Sequence, residues 1–104
     1  MYRLEFLPIA RQDMTEITRY VSHELCNPSA AEALADEMID AAETLADFPY
    51  VNAIHQTLKP MKHDYRKLIV KNYIMFYWID EKEKRITVAR VMYARRDYDK
   101  LLGM

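Results

Sequence analysis

Tyr93-Ala-Arg-Arg-Asp-Tyr98 is the densest polar group in the sequence. Two guanidiniums beside two phenols suit one kind of chemistry. Arg95 and Arg96 can stabilise the extra negative charge of a pentacoordinate phosphate while a ribose 2′-hydroxyl attacks it. Tyr98 or Tyr93 can exchange the protons, provided cations help a phenol whose ordinary pKa is about 10. His63 is a second acid–base candidate, because imidazole titrates near neutrality. Its plainer reading is a solvated loop histidine. Asp97 and Asp99 read as partners of the arginines.

Further cations stand upstream at Lys59, Lys62, Arg66, Lys67, Lys71 and Arg90, with Lys100 beyond them. Tyr65, Tyr73, Tyr77, Tyr93 and Tyr98 interleave with them. Cations beside stackable rings are what single-stranded RNA binding needs, since phosphates are neutralised while bases stack. The plainer reading is structural: tyrosine favours strands, and lysines guard sheet edges. Lys59, Lys62, Arg66, Lys71, Arg90 and Tyr93 are therefore candidates for RNA or partner binding. Lys67, Arg95, Arg96, Tyr98 and His63 are the candidates for catalysis.

Charge supports an acidic partner. Residues 1–54 hold 3 basic and 10 acidic side chains, and residues 55–104 hold 12 and 6. The net charge of −1 thus hides two opposed halves. Several chemistries are excluded. Gly103 is the only glycine, which removes phosphate-cradling glycine loops. No H-E-x-x-H or C-x-x-C occurs, no cofactor is implied, and His23 with Cys26 alone is too sparse for a zinc site. One cysteine permits no internal disulfide, and no segment reads as a signal peptide or membrane span, so the expected home is the cytoplasm.

The elements that must position these residues follow from periodicity. Tyr2–Leu7 alternates as a half-buried strand, and Pro8 starts a helix. Ala10, Met14, Ile17, Val21 and Leu25 form its apolar stripe, and Asn27-Pro28 breaks it. Ser29-Ala-Ala-Glu32 reads as a capping box for a second helix with the stripe Leu34, Met38, Ala41, Leu45 and Phe48. The outer faces take Asp36, Glu37, Asp40, Glu43 and Asp47. Residues 50–63 read as loop. Strands are expected at Tyr65–Val70, Tyr73–Ile79 and Arg85–Tyr93, with Lys71-Asn72 as a tight turn and Asp80–Lys84 as a second turn. Tyr73–Ile79 is apolar on both faces, which marks a central strand. Asp97–Leu102 adds a final helical turn. The sum is one α+β domain over residues 1–104, ordered β-α-α-β-β-β. Its sheet is four-stranded and mostly antiparallel, with the helical hairpin on one face.

The run Lys-Asn-Tyr-Ile-Met-Phe-Tyr-Trp-Ile-Asp80, followed by Arg90-Val-Met-Tyr-Ala-Arg-Arg-Asp97, resembles the RelE/ParE toxins. Tyr2–Leu7 and Leu7-Pro8-Ile-Ala-Arg-Gln-Asp-Met14 also fit that pattern, so the resemblance covers nearly the whole chain. It implies the toxin of a bacterial type II toxin–antitoxin pair, bound by a cognate antitoxin in a hetero-oligomer. One branch implies a metal-independent mRNA interferase acting on the ribosome and its mRNA. The basic-aromatic face favours the interferase; the alternatives are the other branch, an inhibitor that binds DNA gyrase, and a degenerate toxin that keeps only antitoxin binding. In the interferase pattern Arg66 and Lys67 fill the cationic strand before the hairpin. Arg95 or Arg96 fills the arginine ending the last strand, and Tyr98 fills the C-terminal phenol. Ile74 stands where that pattern has an arginine, and an isoleucine cannot contact phosphate, which either weakens the nuclease reading or requires another cation such as Lys71 to substitute.

Overall fold

The computed structural model describes residues 1–56, 61–95 and 102. Strand β1 (Arg3–Phe6) sends Leu4 and Phe6 inward and Arg3 and Glu5 outward, as the alternation requires. Helix α1 (Pro8–Arg19) starts with Pro8 in its first turn, where the missing N–H costs nothing. It runs into a π-helical turn, Tyr20–Glu24. Ala10, Met14, Ile17 and Val21 keep the core stripe. Leu25 leaves it and is exposed, because the wider turn shifts the phase of the stripe. Cys26 then reverses the chain at φ 51°.

Helix α2 (Pro28–Leu45) is capped by Asn27 and not by the expected Ser29–Glu32 box. Asn27 Oδ1 accepts the Ala30 N–H at 3.1 Å, with Pro28 in the first turn. That pairing places the start one residue before Ser29. Ala31, Leu34, Met38, Ala42 and Leu45 are buried. Phe48 lies past the helix end and is exposed, so the stripe stops at Leu45.

Strands β2 (Arg66–Val70), β3 (Tyr73–Asp80) and β4 (Arg85–Tyr93) follow. The sheet order is β1-β4-β3-β2, with β1 parallel to β4 and the other pairs antiparallel. The mostly antiparallel sheet with two helices is as the sequence predicts. Lys71 and Asn72 form the β2–β3 turn, and Lys71 adopts the left-handed φ of 55° that turns ordinarily give to glycine or asparagine. A bulge opposes Phe76 with Arg90 and Tyr77 with Val88, leaving Ala89 extra. In the stretch read as loop, Ile54 makes an isolated bridge to Arg66.

The sheet is buried on both faces, by different means. On one face the helices cover Val70, Met75, Tyr77, Ile86, Val88 and Val91. On the other, Ile74, Phe76, Met92 and Leu102 form a smaller cluster with Met61 and Tyr65 against it. This is why β3 reads as apolar throughout. Apart from buried Leu102, the expected C-terminal helical turn lies outside the described residues. No described helix is long and apolar enough to cross a membrane.

Candidate functional site

The face away from the helices carries one part of the candidate chemistry. At one end, His63 stacks flat on Trp78, with ring centres 3.7 Å apart and planes 4° from parallel. Tyr65 meets both rings edge-on at 6.0 and 5.9 Å. Trp78 belongs to this face because β3 alternates from Phe76, and the segment before β2 folds back over the sheet to deliver His63. Burial, then the Lys62 charge, lowers the His63 pKa and keeps its ring neutral at neutral pH. Burial raises the Tyr65 phenol, making it a poorer proton exchanger. Beside the stack lies a cleft of about 210 Å³ lined by His55, Gln56, Met61, His63 and Asp64 among others.

Lys67 sits on β2 opposite Phe76, and Arg90 sits opposite Phe76 on β4. Arg90 does not point into a cationic cleft. Its Nε and Nη2 donate to Asp13 of α1 at 2.8 and 3.0 Å, and the same carboxylate accepts the Val91 N–H at 3.0 Å. Asp13 is nearly buried. It stands where β1 has already ended, so a side chain does the work of a neighbouring strand.

Arg66 is likewise occupied. It donates to the Asn52 carbonyl at 2.6 Å and lies 5.0 Å over the Tyr50 ring. Lys71 is exposed in its turn, 3.9 Å from Glu37. Lys62 is exposed beside His63. Tyr93 and Arg95 are exposed where β4 leaves the sheet, and Tyr93 meets Tyr73 edge-on at 5.8 Å. Lys59, Arg96, Tyr98 and Lys100 lie outside the described residues, as do Asp97 and Asp99.

Register separates two groups that the sequence reading placed in one site. Tyr93 pairs with Tyr73 at one end of β3, whereas His63 stacks on Trp78, five residues further along. At about 3.3 Å per residue that is roughly 16 Å, too far for His63 and Arg95 to serve one phosphate. The two groups also lie on opposite faces: Tyr73 packs against the helix-side core, whereas Trp78 follows Ile74 and Phe76 on the far face, whose centre is apolar. Among the described residues no group of three His, Cys, Asp or Glu is placed to hold a metal, and the Cys26 thiol instead meets the His23 carbonyl.

The sequence reading passed over three features. Asp13 drew no reading of its own, although its place three residues after Ala10 and four before Ile17 puts it on the stripe that faces the sheet. Trp78 entered only as part of the apolar central strand Tyr73–Ile79. Glu81 is the third. Its carboxylate accepts from Tyr2 at 2.6 Å and also from Tyr50 and Lys84, tying the N-terminus and the post-α2 segment to the β3–β4 turn. Hydrogen bonds from Lys84, Tyr2 and Tyr50 hold Glu81 down to about 2, and its own bond to Tyr50 pushes that phenol up to about 12.

The sequence pattern of the ParE toxin of type II parDE toxin–antitoxin systems matches residues 4–98. The chain belongs to the ParE toxin family. Solved structures with the same fold include the chromosomal ParDE system of Pseudomonas aeruginosa. It has a TM-score of 0.73 at 16% identity, over 91% of this chain and 98% of that one. The RelBE2 toxin–antitoxin complex of Mycobacterium tuberculosis gives 0.62 at 18%, over 88% and 96%. The archaeal RelE–RelB complex of Pyrococcus horikoshii gives 0.62 at 14%, over 91% and 97%. No curated protein matches the sequence. ParDE and RelBE toxins therefore share this fold.

Proposed function

We propose that this ParE-family toxin acts by binding its target, a bacterial DNA gyrase, and that a cognate antitoxin neutralises it. The observation that carries this reading is the apolar centre of the far face. Where RNA cleavage needs cations around a phosphate, Ile74 and Phe76 lie buried under Leu102. The neighbouring guanidiniums of Arg66 and Arg90 already have intramolecular partners. A group held in an ion pair must lose that partner before it can stabilise a transition state, which removes the advantage of a preorganised site. A surface can still bind a protein with the same residues, because protein interfaces rest on buried anchors and not on one proton donor.

A second reading, a metal-independent mRNA interferase, is favoured by the His63–Trp78–Tyr65 rings beside Lys62. Such a ring set can stack bases. One experiment separates the two. The chain is expressed in a bacterium with and without its neighbouring gene, mRNA ends are mapped on translating ribosomes, and the purified chain is added to a gyrase supercoiling reaction. The expected result is growth arrest with intact messages, inhibited supercoiling, and relief by the neighbour. New cuts within ribosome-bound codons would overturn the binding reading.

A further inference from the structure

Where α2 ends, the chain turns a row of carboxylates and then a group of bare apolar side chains toward solvent. Asp36, Asp40, Glu43 and Asp47 are all exposed, and their spacing of four, three and four residues keeps them on one stripe. The ion pairs among the described residues use other carboxylates. This stripe works against its own helix. Like charges three and four residues apart repel each other. Glu43 and Asp47 stand at the negative end of the helix dipole, and α2 has no basic residue in its last turn to offset them. A local conflict that the fold leaves unrelieved marks a surface kept for a partner.

The stripe runs directly into Phe48, Tyr50, Val51 and Ile54, of which Phe48 and Val51 leave 62% and 69% of their surface in water. Four large apolar side chains so close together form a patch and not a scatter. The segment that carries them makes no helix and only the single Ile54 bridge, yet it is held in place. The Tyr77 hydroxyl donates to the Pro49 carbonyl at 3.2 Å, and Arg66 donates to the Asn52 carbonyl at 2.6 Å. The His55 N–H donates to the Tyr65 carbonyl at 2.7 Å, and the Tyr50 hydroxyl donates to Glu81. Polar groups of the segment thus bond inward while its apolar side chains face outward, fixed before any partner arrives. Anchors ordered in advance lower the entropy cost of association.

We propose that this surface docks onto the target, with the apolar patch as its anchor and the carboxylate stripe laid against a basic face. The chemistry of that face follows from charge. A topoisomerase must hold duplex DNA with lysines and arginines that neutralise phosphates. Its DNA-handling surface is therefore the part of it that a row of carboxylates fits. The chain occupies cationic ground that DNA needs, so chain and duplex exclude each other. A second copy of the chain is the poorer occupant, because a contact over the patch would bring two unpaired acidic stripes together. The proposal rests on the gyrase reading above and names the surface of this chain and the class of partner face within it.

The test uses the full chain and whole gyrase. Affinity is measured at low and high salt, and with and without a short DNA duplex. Wild type is compared with the triple reversal Asp40→Lys, Glu43→Lys, Asp47→Lys and with the pair Phe48→Ser, Val51→Ser. The expected result is wild-type binding weakened at least about tenfold by added salt and by saturating duplex. The charge reversal should lose about a hundredfold in affinity and the serine pair about tenfold. Both variants should bind the product of the neighbouring gene as wild type does, which shows them folded. All five substituted positions are exposed, and the salt and duplex measurements need no variant at all. Wild-type binding indifferent to salt and duplex, or variants that bind gyrase as wild type does, overturns this surface and leaves the target reading standing. Loss of the neighbour's product to the same degree, with native circular dichroism, overturns it in favour of an antitoxin surface. A dimeric free chain made monomeric by the serine pair overturns it in favour of a second copy. Absence of any wild-type binding to gyrase overturns both.

Discussion

On the helix-covered face of the sheet, Met38, Ala42 and Leu45 of α2 meet Met75, Tyr77 and Val88 with scarcely any polar atom between them. On the other face, four buried apolar residues sit beside stacked rings and lysines. The first face is continuous and closed by two helices. The second is assembled from loop and terminal residues, so it joins distant parts of the chain and leaves side chains half in water. The difference teaches that burial on both sides of β3 serves two purposes. The helix side supplies folding energy, and the far side supplies a surface whose centre is closed by apolar groups beside the His63–Trp78–Tyr65 rings.

Truncation should break that comparison most sharply. Met38→Ala is expected to cost about 3–5 kcal/mol, since Met38 is fully buried and packed helices cannot collapse into the void. Met92→Ala should cost about half as much, because its cluster is smaller and the void loses fewer buried neighbours. Urea unfolding of both variants checks the ratio, and equal losses would mean the faces are equally rigid. Next, Asp13→Ala should cost about 3 kcal/mol, as it strands the Arg90 guanidinium and the Val91 N–H together. Asp13→Asn, which keeps one acceptor, should lose distinctly less. If the two losses are equal, charge and not edge pairing is what matters there.

Ile74→Arg sharpens the functional side of the comparison. It places a cation in the apolar centre of the far face and should cost about 2–3 kcal/mol of stability without creating ribosome-dependent cleavage. Cleavage by this variant would show that one arginine is all that separates this face from a nuclease site.

The smallest effects are titrations near the β3–β4 turn. The His63 pKa is lowered in the fold, so its contribution is full above the ordinary value near 6.5 and fades as pH falls below it. Trp78 is the only tryptophan, so its fluorescence should change in that window and His63→Phe should abolish the change. Glu81, held at about 2, contributes fully above its ordinary value near 4.5. That contribution is lost as pH falls through 2. Tyr50, raised to about 12, keeps its bond below pH 10 and loses it as pH rises through 12, which absorbance of the ionised phenol would follow.

Periodicity alone identified most of the architecture. The spacing of Ala10, Met14, Ile17 and Val21, and of Leu34, Met38 and Leu45, marks two helices because a 3.6-residue period must put these side chains on one stripe. Tyr73–Ile79 is apolar throughout because both its faces are buried, and the Lys71-Asn72 turn follows from the two strands it joins. The misses were local competitions. Asn27 outcompeted Ser29 as the cap, and the π-helical turn moved Leu25 into water.

What the sequence by itself determined is therefore the order of elements, the core stripes and the family. Each depends on neighbours within a few residues or on a long pattern read whole. Only the tertiary structure decided which cations are engaged. Arg90 meets Asp13 across 77 positions of sequence, and His63 meets Trp78 through a fold-back that no local period encodes. A guanidinium in the sequence shows its charge and not its partner, because partnership is fixed by strand register and by where one strand stops short of another.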